Sequence, residues 1–423
     1  MKTIAMFPAA WNLAETTRTL EVAKACRNEF NIVFATHGGQ FEELIENEGF
    51  PLTRLEPGLT DEQIEHLYQV DQGEKIGSFF TVKQTRQRVE KEAAFLRNER
   101  PLAAVTGFNV TITLSSRAAD VPLIWLTQST WDIQAMIDEG LGAYADDLDM
   151  AGLRLLPDAV LKWLTRQTFS WLGGTILRPL NTVAKEYGIE KLYDLRDLWQ
   201  GDHNLLAEPP DFSGLSSVPD TYYYIGPLIA DLASPVPEEI NRLAAKQEPL
   251  VYFSMGSSGK PQVIKRILEG FRDQPFNVVS PMKTKLQELY VKVPPNVLLT
   301  DWLPALDVSR LADISVIHGG IGTVMTAALA GKPVLGIGMM YEQEYNIDCL
   351  VRKGFAHRIR RTRLDSESVN KAILELLTDS NAKTSAMHYA DHLKAWLGSR
   401  NQKIRNFFHA LEKGELKPRH DLP

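Results

Sequence analysis

Short apolar runs and helix-compatible stretches alternate along the whole chain. This alternation limits the fold more than any other feature. Ile4–Phe7 reads as a strand and is followed by a helix over about Glu15–Arg27. Ile32–Thr36 is a second strand, with a helix through Gln40–Asn47 after it. Ala103–Thr106 and Leu123–Thr127 are further strands with a helix between them, and the stretch from about Leu153 to Tyr187 is mostly helical. Strands spaced by helix-length connections pair in parallel, because a parallel return needs a crossover. The rhythm restarts at Tyr222–Ile225, then runs through Leu250–Met255, Val278–Ser280, Val297–Thr300, Ile314–Ile317 and Val334–Ile337. Two doubly wound α/β halves follow, divided at the Pro- and Ala-rich stretch after Leu228. Residues 400–413 form a helix after the second sheet is complete.

A length of 423 residues suits two or three domains at roughly 150 residues each. Net charge is -7, which argues against nucleic acid as a partner. Cys26 and Cys349 are the only cysteines, too few for a disulfide framework or a thiolate metal site. The first fifteen residues hold one lysine and a short apolar run before Glu15. They read as a strand rather than a signal segment. No apolar run approaches the ~18 residues of a membrane span. The cytoplasm is the compartment these features suggest.

In an open α/β sheet, ligands bind beyond the carboxyl ends of the strands. There "SVIHGGIGTVMTAALAGKPV" places His318, Gly319, Gly320, Gly322 and Thr323 between a strand and a helix. Glycines let a phosphate approach backbone N–H groups, and the helix dipole favours its charge. A tight turn with a capping Thr and a structural His is the alternative. "YFSMGSSGKPQ" repeats the arrangement with Gly256, Ser257, Ser258 and Gly259, and Pro261 suits a helix's first turn. It is not a P-loop, because only two residues separate Gly256 from Gly259-Lys260. "TDWLPALDV" puts Trp302 just past a strand, available either to stack on a base or to join the core. "MMYEQEYN" pairs Glu342 with Gln343. This is an acid beside an amide that suits vicinal hydroxyls, or else an ordinary solvated loop.

Strand–Gly-Ser turn, W-x-P, H-G-G-x-G-T, G-x-P and E-Q-x-x-N, in this order, resemble the donor domain of GT-B glycosyltransferases, in particular family one. The resemblance is clear over about Leu250–Gly354 and holds in outline elsewhere. It implies a GT-B fold: two Rossmann-like parallel-sheet domains facing a cleft, with a final helix crossing back. Residues 1–228 would bind the acceptor, 229–399 the nucleotide sugar, and 400–423 would return to the first domain. Trp302 would stack on uracil or thymine, and Leu303 beside it would join the donor-binding residues. Gly256, Ser257, His318, Gly320, Gly322 and Thr323 would hold the diphosphate. Glu342 and Gln343 would hold the sugar, and Asn346 would support their loop. No metal or other cofactor is implied.

The same resemblance implies an inverting transfer of a hexose or deoxyhexose from a UDP- or dTDP-sugar to a hydroxyl of a lipophilic small molecule. Ala305 and Thr326 depart from the family pattern and leave uridine and thymidine both open. The family's catalytic His falls at Glu15 and its supporting Asp at Gly107. A buried carboxylate can deprotonate a hydroxyl, so Glu15 is the first base candidate, with a helix first-turn acid as the alternative. His37 and Asp132 are the others. The Trp163- and Trp171-bearing stretch packs on the sheet, walls an acceptor pocket or rests on a membrane. The last option belongs to a membrane-surface lipid glycosyltransferase. The missing dyad also admits a non-catalytic nucleotide-sugar-binding protein.

Overall fold

The computed structural model describes residues 1–141, 152–230, 234–256 and 259–416. Seven parallel strands form the first sheet: β1 (Thr3–Met6), β2 (Asn31–Thr36), β3 (Leu52–Arg54), β4 (Ala103–Thr106), β5 (Leu123–Thr127), β6 (His203–Leu206) and β7 (Tyr222–Tyr224). Their order is β3-β2-β1-β4-β5-β6-β7. Six more form the second: β8 (Leu250–Ser254), β9 (Asn277–Ser280), β10 (Val297–Leu299), β11 (Ile314–Ile317), β12 (Val334–Gly336) and β13 (Ala356–Arg358), in the order β10-β9-β8-β11-β12-β13. Ile4 pairs with Ile32 and with Ala103, and Val251 with Ile314 and with Val278. Each sheet therefore reverses winding once, between β1 and β4 and between β8 and β11. Crevices open at such switch points, which is where ligands bind.

The central strands are buried on both faces, as helix-covered parallel sheets require. Ala103–Thr106 and Ile314–Ile317 are buried at every position. Three strands lie outside the sequence reading. β3 and β13 are three-residue edge strands without a fully apolar run. β6 reads His-Asn-Leu-Leu, whose polar half conceals a fully buried strand.

Local chemistry sets the helices that flank the crevices. Asn12 caps Leu13–Cys26, its side chain accepting from the N–H of Ala14 at 3.0 Å and of Glu15 at 3.4 Å. Such a cap contributes on the order of 1 kcal/mol. It also holds Glu15 at the start of the helix, over the β1–β4 crevice. Thr60 and Gln63 form a capping box that starts Asp61–Asp71.

One helix, Ser380–Glu412, serves both sheets. At 33 residues it is about 50 Å long. Ala386, Tyr389 and Leu393 pack with Val324, Leu350 and Phe355 beside the second sheet. Ile404, Phe407 and Phe408 pack with Leu20, Ala23 and Phe30 beside the first. Each fully buried Leu, Ile or Phe among these contributes roughly 1.5–3 kcal/mol. The Arg400 guanidinium pairs with Glu21 at 2.9 Å. The helix is unbroken through residue 400, so the predicted 400–413 segment is the last part of a longer element. Among the described residues, no helix is long and apolar enough to cross a membrane.

Candidate active site

The carboxyl ends of the two sheets meet across a cleft. Gln128, directly after β5, donates from Nε2 to Oε1 of Glu342, in the first turn of the helix Tyr341–Arg352 after β12. Thr130 Oγ1 donates to Asn346 Oδ1 at 2.6 Å. Asn346 Nδ2 in turn donates to Glu342 Oε1 at 2.7 Å and to the Gly319 carbonyl at 2.9 Å. These bonds join the sugar-loop candidates, the glycine turn and the first domain into one wall.

At the second sheet's switch point, the loops after β8 and β11 touch. Gly256 takes φ +55°, and a Cβ there would run into the His318 imidazole. A Cβ at Gly320 would meet His318 Nε2 from the other side, at 2.8 Å. The ring is thus clamped between two glycines. Burial pushes the His318 pKa down to about 4, with Lys285 adding to the fall, although a bond to the Ser254 backbone works against it. The ring is neutral at pH 7, and its buried Nδ1 has no partner. Gly320 caps the helix Ile321–Leu329 without any side-chain acceptor, leaving the first-turn N–H groups to a ligand. A side chain at Gly322 would meet open space. Ser257 lies outside the described residues. Thr326 Oγ1 donates to the Gly322 carbonyl at 2.7 Å, so its hydroxyl stays within its own helix.

Trp302 is 42% exposed, so it is not a core residue. Leu303, named with it among the donor-binding residues, packs its side chain into the core with Ile240, Leu250 and Tyr252. Only its backbone is left for a ligand, because an apolar side chain next to a buried strand gains more from the core.

At the first sheet's switch point, Glu15 and Gly107 are in direct apposition. A Cβ at Gly107 would collide with Glu15 Oε2. The Glu15 carboxyl is 6% exposed. Its Oε1 accepts from Arg18 Nη2, while Oε2 is buried without a partner. Burial raises its pKa, and Arg18 offsets only part of that. Asp71, at the end of Asp61–Asp71, is pushed up to about 7 by burial and then by Glu15 and Glu342. Glu342 also rises to about 7, mainly through burial, with Gln128, Arg18 and Asn346 acting against it. Three carboxyl groups and Arg18 therefore face one space.

The other site residues named from the sequence stand elsewhere. His37 Nδ1 lies 3.1 Å from the Pro57 carbonyl and Nε2 lies 3.2 Å from Glu92 Oε1. Both nitrogens face acceptors, so neither is left to take a proton from a substrate. Burial raises the Glu92 pKa, but His37, Arg88 and Ser115 outweigh it and bring it to about 2. His37 and Glu92 form a buried, structural hydrogen-bonded pair. Asp132 caps the helix Ile133–Asp138, accepting from the Ala135 N–H at 3.1 Å. Gln343 Oε1 accepts from the Met339 N–H at 3.0 Å and Nε2 donates to Met340 Sδ at 3.4 Å, so its amide braces its own loop. These three corrections share one cause: each polar group finds a nearer backbone or side-chain partner, and a buried group that can pair locally does so.

Arg18, Asp71, Gln128 and Lys285 enter the cleft without having been singled out in the sequence. None carries a motif. The only available signal for Gln128 is its place directly after a buried strand. Trp163 and Trp171 are 54% and 60% exposed, while Leu161, Leu172 and Ile176 of their helix, Asp158–Ile176, pack inward. The helix packs against neighbouring helices of the first domain rather than directly on the sheet, and its indoles face outward.

Residues 265–396 match the family model of the erythromycin biosynthesis protein CIII-like C-terminal domain. The PGL/p-HBAD biosynthesis rhamnosyltransferase of Mycobacterium bovis (strain BCG / Pasteur 1173P2) is 26% identical over 317 residues, covering 74% of this chain and 69% of the relative. The solved structure of the calicheamicin glycosyltransferase CalG4 superposes with TM-score 0.63 at 15% identity, over 98% of both chains. The glycosyltransferase VinC, solved in complex with dTDP, superposes with TM-score 0.61 at 15% identity, over 96% of this chain and all of VinC. With two facing parallel sheets and the motif order along the second, these similarities show a glycosyltransferase of the GT-B fold, similar to members of family one.

Proposed function

We propose that the chain transfers a hexose or deoxyhexose from a UDP- or dTDP-sugar to a hydroxyl of a lipophilic small molecule, with inversion. The observation that carries this reading is the clamped, neutral His318 beside an uncapped helix N-terminus. A diphosphate would satisfy the free first-turn N–H groups beside the ring. Trp302 would stack on the base. Glu342 would accept from sugar hydroxyls. Charge on the leaving diphosphate would be offset by the helix dipole, His318 and Lys285, so the reading needs no metal.

In the first domain, Glu15 Oε2 would take the proton of the acceptor hydroxyl. The acceptor oxygen then bonds to the anomeric carbon as the bond from that carbon to the diphosphate oxygen breaks on the opposite face. Nucleoside diphosphate leaves with the electron pair, and Glu15 is left protonated. The rhamnosyltransferase name of the relative supports a deoxyhexose, and the dTDP bound to VinC supports a thymidine donor.

A thermal-shift panel of UDP, dTDP and GDP with their sugar conjugates tests the reading. A selective rise with UDP or dTDP compounds is expected. No rise with any of them would sink it. A second reading, transfer at a membrane surface, is supported by Val160, Trp163 and Trp171 on one exposed helix face. Co-sedimentation with anionic vesicles tests it, and a chain left wholly in the supernatant would count against it.

A further inference from the structure

In the sequence, Glu342 has its amide neighbour beside it at Gln343. In the structure, the amide beside Glu342 comes from the other domain. We propose that Gln128 completes the donor-sugar site across the cleft, and that it, rather than Gln343, is the amide that recognises sugar hydroxyls together with Glu342. The inference rests on the nucleotide-sugar reading of the cleft.

Three observations carry it. First, Gln128 is 1% exposed, and its Nε2 is bonded to Glu342 Oε1. Its amide plane is therefore held at the carboxylate and does not sweep through solvent. Second, its Oε1 is buried with no partner. A buried carbonyl left unpaired is costly, and native structures usually supply the missing donor. Among the described residues, no donor is bonded to it, so a ligand group is the partner that fits. Third, Gln343 is engaged with Met339 and Met340, which removes the alternative amide.

The chemistry of the set selects its ligand. Glu342 offers carboxylate oxygens, Gln128 offers one acceptor and two N–H donors, and Glu15 Oε2 is a further unpaired acceptor in the same cleft. A vicinal diol matches this arrangement. One hydroxyl donates to Glu342 and accepts from Gln128 Nε2, which replaces the present Gln128–Glu342 bond. The neighbouring hydroxyl donates to Gln128 Oε1. A sugar lacking either hydroxyl leaves a buried polar atom unmatched, and such sites discriminate strongly. The pair also bridges the domains.

The test uses the full chain with UDP, UDP-glucose, dTDP and dTDP-rhamnose as probes, by calorimetry. Gln128→Leu keeps the volume and removes both polar atoms. It is expected to weaken the preferred sugar nucleotide about ten-fold while leaving its parent diphosphate within about two-fold. Gln128→Asn, one methylene short, should fall between. Retained diphosphate binding also shows that the variant is folded. If Gln128→Leu weakens diphosphate and sugar nucleotide alike, Gln128 is only a latch between domains and the proposal fails. Unchanged affinity for both overturns it as well, while leaving the donor reading intact. Binding of no probe by the unaltered chain would overturn both readings together.

Discussion

The carboxylate of Glu15 occupies the space that a side chain at Gly107 would fill. Position 107 therefore cannot carry a supporting acid while Glu15 keeps its rotamer. Under the proposed reading, a single longer acid from the helix would do the work of a base at this point of the cleft.

This relation makes Gly107 a sensitive probe of Glu15. Gly107→Ala should displace the carboxylate and lower kcat, with nucleoside diphosphate affinity unchanged. Glu15→Gln should lower kcat by about a hundred-fold, within the usual range for a general base. The double variant should cost little more than Glu15→Gln alone, because both act on one group. Steady-state turnover checks this, and full activity in Gly107→Ala would end the assignment of Glu15 as the base.

The pH dependence of turnover should carry the mark of burial. A base works deprotonated, and burial raises the Glu15 pKa. The acid limb of the kcat/KM profile should therefore lie above the ordinary glutamate value of about 4.3. A limb at or below that value would mean that Glu15 is not the titrating group.

His318→Ala should weaken diphosphate binding by about 1–3 kcal/mol, as loss of a hydrogen bond to a charged group does. Gly256→Ala should mimic it by pushing the imidazole aside at a position where φ is +55°. Because His318 is neutral well below pH 7, its contribution to affinity should stay constant from about pH 5.5 to 8, more than one unit above its pKa. Calorimetry at several pH values reads both effects. A His318-dependent gain in affinity over that range on acidification would contradict the neutral ring.

The exposed indole of Trp302 should report base binding directly. Titration with the preferred nucleotide should quench its fluorescence. Trp302→Ala should cost about 1–3 kcal/mol in affinity, the usual worth of base–aromatic stacking. Equal affinity in the variant would place the base elsewhere.

A separate test concerns Glu208, which is fully buried after β6 with Oε2 unpartnered. Burial pushes its pKa up to about 7, although bonds from the Ser129 N–H and hydroxyl oppose this. The unfolded chain loses this proton near the ordinary pKa, while the folded chain keeps it. Stability should therefore fall as pH rises from about 4 to about 7. Glu208→Gln should stabilise the protein by about 2–3 kcal/mol at pH 8 and have little effect at pH 4. Thermal melts at the two pH values distinguish this outcome from a uniform shift.

The strand–turn–helix rhythm was legible because apolar runs and glycine turns are local. β3, β6 and β13 escaped because edge strands are short and β6 begins His-Asn. The glycine turns around Gly256 and His318 were legible for the same local reason. That the two turns clamp one imidazole was not, because the contact depends on β8 and β11 lying side by side.

What the sequence determined by itself is therefore the set of elements, the two parallel sheets and the residue types at the ends of the strands. These follow from periodicity and turn chemistry over a few residues. The tertiary structure alone decided which of those residues share a site. It sent Gln343, Asp132 and His37 to nearer partners, placed Glu15 against Gly107, and joined Gln128 to Glu342 across 214 positions of chain. Side-chain hydrogen bonding is settled by distance in space, and distance along the chain carries little information about it once two domains face each other.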